Sequence, residues 1–419
     1  MHRSVPGVTT RPAIVLSRCV IATLTSAALL LTPACARSGA PDSQPSTAER
    51  TDASDLAAAA PGALLEPPKP LEPVDLRISR AGAEAQRITY RSTSGIDGSP
   101  TAVTGSVFTP RTAPPPGGWP IVAFAHPTVG LLEDCAPSRH TDLLGMGPQV
   151  EALLAQGYLV VMPDYQGLGS KGPHPYLEPR TSAYNLIDAV RAAREAEKSA
   201  STKWAAYGAS QGGQASWAAA ELAPTYGAGL EMVGAAALVP IVDLASLPQT
   251  AFDRRLSDYQ LPVMQFIVNS VASVDPSFHL DDYLNGFALD NNAKLLQCSG
   301  DGLAERNRLV IDLAPENVAP RDQDAVDRLS NFLRGWSLPL AVDPSPVPVY
   351  AVAGSVDDMA VPASVEDAAR RACDRGDVVV WSLRRDEGHD NVDFRPALAW
   401  LKERFEGAPL EGACVFPGG

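Results

Sequence analysis

The chain has 419 residues, 45% of them hydrophobic and 20% charged, with a formal net charge of −14. That length buries a large core, as one big α/β domain carrying an insertion or as two domains. The acidic balance excludes a nucleic-acid partner, because phosphate recognition needs clustered Lys and Arg.

The N-terminus reads as an export signal over residues 1–36. Arg3, Arg11 and Arg18 give it a basic region, and Cys19 to Leu31 an apolar run too short to span a bilayer. Ala34-Cys35-Ala36 then offers a small-residue cleavage site. The expected destination is secreted, with a lipid anchor at Cys35 open as the alternative. Residues 37–73, rich in Ala, Pro, Ser and Asp, are expected to be a disordered linker.

From residue 74 to 419 the pattern is that of one folded domain. Arg87 to Thr93 alternates, Gly95-Ile-Asp-Gly98 turns, and Ala102 to Phe108 returns, which predicts an antiparallel hairpin. Continuous apolar runs follow at Ile121–Ala125, Tyr158–Met162, Trp204–Tyr207, Val233–Val239, Val347–Val352 and Val378–Trp381. Such runs mark strands buried on both faces. Helical stretches between them, at Gln149–Ala155, Ser182–Lys198 and Gln214–Leu222, predict a mostly parallel central sheet with helices on both faces. Residues 245–345 hold helical candidates and no strong strand, and are expected to form a helical cap insertion.

The run Trp204-Ala-Ala-Tyr-Gly-Ala-Ser210-Gln-Gly-Gly-Gln214 contains Gly208-x-Ser210-x-Gly212. Strand, sharp turn and helix place a serine at the apex, and the tight turn demands tiny neighbours. A serine hydroxyl needs a base to take its proton, and the base an orienting carboxylate. Each is expected on a loop after a later core strand. The loop Gly354-Ser-Val-Asp357-Asp358 supplies the acid, Asp357 or alternatively Asp358, and Gly388-His389 supplies the base. Oxyanion donors are expected at the N–H of Gln211 and of Thr128; Pro127 has none to give. His126 is expected to shape that loop. No cofactor or metal is expected.

Of six cysteines, Cys135, Cys298, Cys373 and Cys414 lie in the mature body. In an exported chain they suggest two disulfides, with three connectivities open. Cys135–Cys298 with Cys373–Cys414 is preferred.

The segments His126-Pro-Thr-Val-Gly130, Asp134-Cys-Ala-Pro-Ser138, Pro163-Asp-Tyr-Gln-Gly-Leu-Gly169, His174-Pro-Tyr-Leu177 and Tyr207-Gly-Ala-Ser-Gln-Gly-Gly213 together resemble the secretory lipase family of α/β-hydrolases. The resemblance runs from about residue 85 to 406. It implies an α/β-hydrolase fold and an extracellular carboxylic-ester hydrolase, acting on acylglycerols or related esters. Ser210, the loop aspartate and His389 would be its triad. The usual His-Gly-Thr reads His-Pro-Thr here. Asp164-Tyr165 is expected to be a turn packed under the site, Tyr176 to line the acyl pocket, and the cap to meet a lipid surface. The rivals are an acyltransferase or peptidase using the same triad, and a non-enzymatic binding relative.

Overall fold

A computed structural model describes residues 53–298 and 303–416. Nine strands form one sheet in the order β1-β2-β3-β5-β4-β6-β7-β8-β9. They are Lys69–Pro70, Ala83–Thr93, Pro100–Pro110, Trp119–Ala125, Leu159–Pro163, Ala200–Ala209, Glu231–Leu238, Val349–Gly354 and Val379–Arg384, for β1 to β9 in turn. The predicted hairpin is β2 with β3, antiparallel from Ala83↔Pro110 to Thr93↔Pro100. From β5 across to β9 every pairing is parallel.

The apolar runs are explained by cover on both sides. In β4, Ile121, Ala123 and Ala125 belong to one buried cluster while Val122 and Phe124 belong to another. In β6, Trp204 and Ala206 divide from Ala205 and Tyr207 in the same way. Alternate side chains leave opposite faces of a strand, so both faces must be apolar. Helices Pro179–Ala196 and Gln211–Tyr226 lie against the first face, and Arg395–Phe405 against the second. Helix Pro362–Arg375, not anticipated from the sequence, joins β8 to β9. It has a proline at its N-terminus and stops at Gly376 with φ 105°.

The export signal 1–36, Cys35 and residues 37–52 lie outside the described residues. The stretch expected as linker is built into the fold from Ala53 onward. A helix spans Ala53–Ala58, and β1 pairs with Arg87 and Gln86. Gly62 N–H donates to Arg91 O at 2.8 Å and Leu65 N–H to Thr89 O at 2.9 Å. Backbone bonds to the open edge of β2 hold it, and these do not depend on side-chain type.

Between β7 and β8 the described residues form helices, among them Leu247–Phe252, Gln260–Val274, Leu303–Ile311 and Gln323–Arg334. Gln214, on the helix after Ser210, donates to Trp336 O at 3.1 Å and ties this insertion to that helix. Cys373 and Cys414 are disulfide-bonded. The other preferred bond is not formed. Cys135 and Cys298 are free thiols in side-chain hydrogen-bond contact, which draws the Cys298 thiol down to about 7.

Candidate active site

Ser210 sits where β6 turns into helix Gln211–Tyr226, with φ 58° and ψ −120°. A non-glycine residue held there is strained, and the packing of the turn fixes it. A Cβ on Gly208 would stand 2.4 Å from Gly212 O, and one on Gly212 1.9 Å from Ala125 O. Only glycine permits so close an approach between the elbow and the end of β4. Ser210 N–H donates to Leu238 O at 3.0 Å, pinning the apex to β7.

The acid and histidine loops leave the adjacent strand ends of β8 and β9 and are laced together. Ser355 N–H donates to Arg384 O at 2.9 Å and Val356 N–H to Glu387 O at 3.1 Å. A Cβ on Gly354 would meet Glu387 O at 2.4 Å, so the loops interlock only with glycine there. This sets three side chains in line. His389 Nε2 is 2.9 Å from Ser210 Oγ, and His389 Nδ1 is 3.0 Å from Asp357 Oδ2. A carboxylate only accepts, so Nδ1 carries the imidazole proton and Nε2 faces the serine hydroxyl as acceptor. Asp357 is buried, and its Oδ1 accepts from Met359 N–H and Ala360 N–H, both at 2.8 Å. Asp358 is exposed and its side chain has no place in this line.

Gln211 is the first residue of its helix, where N–H groups have no intrahelical acceptor. Thr128 lines the same cavity as Ser210, and its Oγ1 is 2.7 Å from Tyr176 Oη. His126 lies beneath this loop. Its Nδ1 is 2.7 Å from Pro127 O, its ring packs on Tyr165 at 4.4 Å, and burial holds its pKa below the usual histidine range. Asp164 is fully buried and accepts from Thr104 Oγ1 at 2.6 Å and Ser138 N–H at 2.8 Å, bracing the turn under the site.

Sequence reasoning gave no role in the site to two groups. His174 is buried behind the elbow. Its Nδ1–H donates to Gln166 O at 2.8 Å, which leaves Nε2 to accept from the Gln211 side-chain amide at 3.1 Å. Burial pushes the His174 pKa down to about 4, so the ring is neutral at pH 7. Arg306, on helix Leu303–Ile311, reaches the cavity from the insertion. No motif marks Arg306, and the segment His174-Pro-Tyr-Leu177 shows no partner for its histidine along the sequence. The cavity has a volume of about 650 Å³; Tyr176, Val263 and Phe266 line it with Ser210, His389 and Arg306.

A family model described as secretory lipase matches residues 146–412. The chain is 28% identical over 352 residues to the probable inactive lipase of Mycobacterium tuberculosis, covering 78% of this chain and 74% of that one. It is 39% identical over 90 residues to lipase 7 of Candida albicans, covering 21% and 20% of the two chains. The closed-state structure of Candida antarctica lipase A superposes with a TM-score of 0.68 at 19% identity, covering 86% of each chain. The rice cell wall degrading esterase LipA of Xanthomonas oryzae, in a ligand-bound form, superposes with a TM-score of 0.62 at 20% identity, covering 83% of this chain and 96% of that one. With the mostly parallel nine-stranded sheet, these likenesses give the chain the α/β-hydrolase fold that its sequence implied.

Proposed function

Because the chain belongs to the secretory lipase family, we propose that it is a secreted carboxylic-ester hydrolase that works through Ser210, His389 and Asp357. The observation that carries this reading is the unbroken line Asp357–His389–Ser210, with contacts of 3.0 and 2.9 Å, opening on a cavity that Tyr176, Val263 and Phe266 also line.

In the proposed reaction Ser210 Oγ attacks the ester carbonyl carbon as its proton passes to His389 Nε2. The imidazolium is stabilised by the Asp357 carboxylate, which keeps the ring oriented. The carbonyl oxygen becomes an oxyanion held by the N–H groups of Gln211 and Thr128. Collapse breaks the bond to the alcohol, which leaves with the proton from Nε2. Water, deprotonated by the same nitrogen, then attacks the acyl-enzyme and releases the acid.

Residues 245–345 serve as the cap in this reading. Val263, Phe266 and Arg306 from the insertion line the cavity, which supports that role. Lipid-surface contact through the cap is part of the same proposal; Tyr259, Leu289 and Ile311 expose apolar surface on it. A lipid anchor at Cys35 is the alternative to free secretion, and mass spectrometry of the mature N-terminus separates the two.

The relative named as an inactive lipase favours a second reading, a hydrolase fold kept for binding. Against it, the chain retains a serine, a histidine and an aspartate in hydrogen-bond contact. A fluorophosphonate decides between them. The ester-hydrolase reading expects stoichiometric labelling at Ser210 and none in Ser210→Ala; a folded wild type that resists labelling would favour the binding reading.

A further inference from the structure

The cavity is lined by a cation, Arg306, and by a carboxylate, Asp390, which accepts from Tyr259 Oη at 2.7 Å. Arg306 is half-buried, and among the described residues no carboxylate pairs with it. Its Nε–H donates to Leu295 O at 3.2 Å, and its guanidinium lies over the Phe266 ring, 5.0 Å from the centroid. Burial is the first cause acting on it and draws its pKa down, yet a guanidinium stays charged in a protein.

Taking a charge out of water without a partner is costly. The chain does not lack partners, since it has 48 acidic residues against 34 basic ones. Elsewhere it uses them. Arg328 and Arg321 both reach Asp282 at 2.5 Å, and Arg375 reaches Glu221 at 2.7 Å. Arg306 alone among these four faces the Ser210 cavity. Its guanidinium is also held in place. Phe266 lies under it and meets Tyr176 edge-on at 5.7 Å, and Tyr176 Oη touches Thr128 Oγ1 at 2.7 Å. The cation is therefore linked by direct contacts to the loop expected to hold the oxyanion. The terminal nitrogens of a guanidinium present a planar fork matched to two oxygens of one oxyacid group.

We propose that Arg306 anchors an anion subsite within the Ser210 cavity, so that the preferred ester carries a carboxylate or a phosphate group a short distance from its scissile bond. The inference rests on the ester-hydrolase reading and narrows its substrate class. The net charge of −14 does not oppose it, because salt screens long-range repulsion while a half-buried contact is screened far less.

The test compares two anionic esters with their neutral counterparts in wild type, Arg306→Gln and Arg306→Lys. Mono-4-nitrophenyl hexanedioate is set against 4-nitrophenyl hexanoate for the carboxylate. For the phosphate, 1-octanoylglycerol 3-phosphate is set against 1-octanoylglycerol. Wild type is expected to favour at least one anionic ester by about tenfold or more in kcat/KM, and which ester it favours identifies the group. That ratio should fall about tenfold in Arg306→Gln and partly survive in Arg306→Lys, a point charge without the fork. A wild-type ratio near one for both pairs overturns the proposal, as does a preference that persists in Arg306→Gln. Should Arg306→Gln fail to fold by circular dichroism, the wild-type ratios and Arg306→Lys decide. Calorimetric titration with octyl phosphate and with hexanedioate keeps the subsite testable without turnover. Binding that weakens about tenfold in Arg306→Gln supports it even if no ester is hydrolysed, and no binding to wild type contradicts it.

Discussion

His174 Nε2 accepts a hydrogen bond from the side-chain amide of Gln211, the residue that follows Ser210, at 3.1 Å. Both groups are buried. The bond fixes the side chain of the residue whose backbone N–H is proposed to hold the oxyanion. His174 touches no reacting atom, so it is a positioning residue. His174→Ala leaves the buried Gln211 amide unpaired, at a cost of about 1–3 kcal/mol. Because the oxyanion exists only after attack, the loss should fall on kcat by tenfold or more while KM stays within about twofold. Steady-state kinetics on 4-nitrophenyl butyrate, with a melting curve beside them, check this. A change in melting temperature alone would make His174 structural.

The same histidine gives an acid limit to stability. Its pKa falls from an unfolded value of 6.5 to about 4 in the fold, because burial disfavours the charged ring. Between these values the unfolded chain binds the extra proton, so stability rises with pH through this window and is lost as pH falls from 6.5 toward 4. Burial acts on His126 in the same direction. His174 alone should account for about 3 kcal/mol between pH 7 and 4. Urea denaturation at the two pH values should show a smaller difference in His174→Gln than in wild type.

Asp357 and Asp358 should differ sharply. Asp357 accepts from His389 Nδ1 and from two backbone N–H groups, whereas Asp358 is exposed. Replacing a carboxylate in this position by its amide costs about 10⁴ in kcat, because the histidine takes the wrong tautomer. Asp357→Asn is expected to fall by that order and Asp358→Asn to stay within a few-fold. Equal effects would remove Asp357 from the proposed mechanism.

The Cys373–Cys414 bond closes a loop with a sequence separation of 41 and ties the chain end to the helix between β8 and β9. On the chain-entropy account, cross-linking a loop of that size stabilises by about 4 kcal/mol. The double variant Cys373→Ser, Cys414→Ser should therefore unfold at clearly lower denaturant while retaining ester hydrolysis, since neither cysteine reaches the Ser210 cavity.

What could be read from the sequence was local. The elbow at Ser210, the acid after β8 and the histidine after β9 follow from strand-end loops and tiny residues, which a linear pattern records. The antiparallel hairpin and the six later strands were legible because apolar runs and alternation report burial on two faces or one, although β9 is buried only at Val379. Asp357 could not be separated from Asp358, because adjacent loop residues differ only in which side chain turns inward. The contacts of Arg306 and His174 were not legible for a related reason. Their meaning lies in partners distant along the chain, Phe266 and Gln211, and a helical arginine reads as a solvated charge until its surroundings are known. Residues 53–73 were misread because backbone bonds to β2 hold them, and composition is silent about those.

The most direct measurement is hydrolysis of 4-nitrophenyl esters from acetate to palmitate by wild type and Ser210→Ala. The account predicts turnover by wild type on at least part of the series and a loss of about a thousandfold or more in the variant. A folded wild type inactive on every ester, or a variant that keeps wild-type turnover, would contradict it.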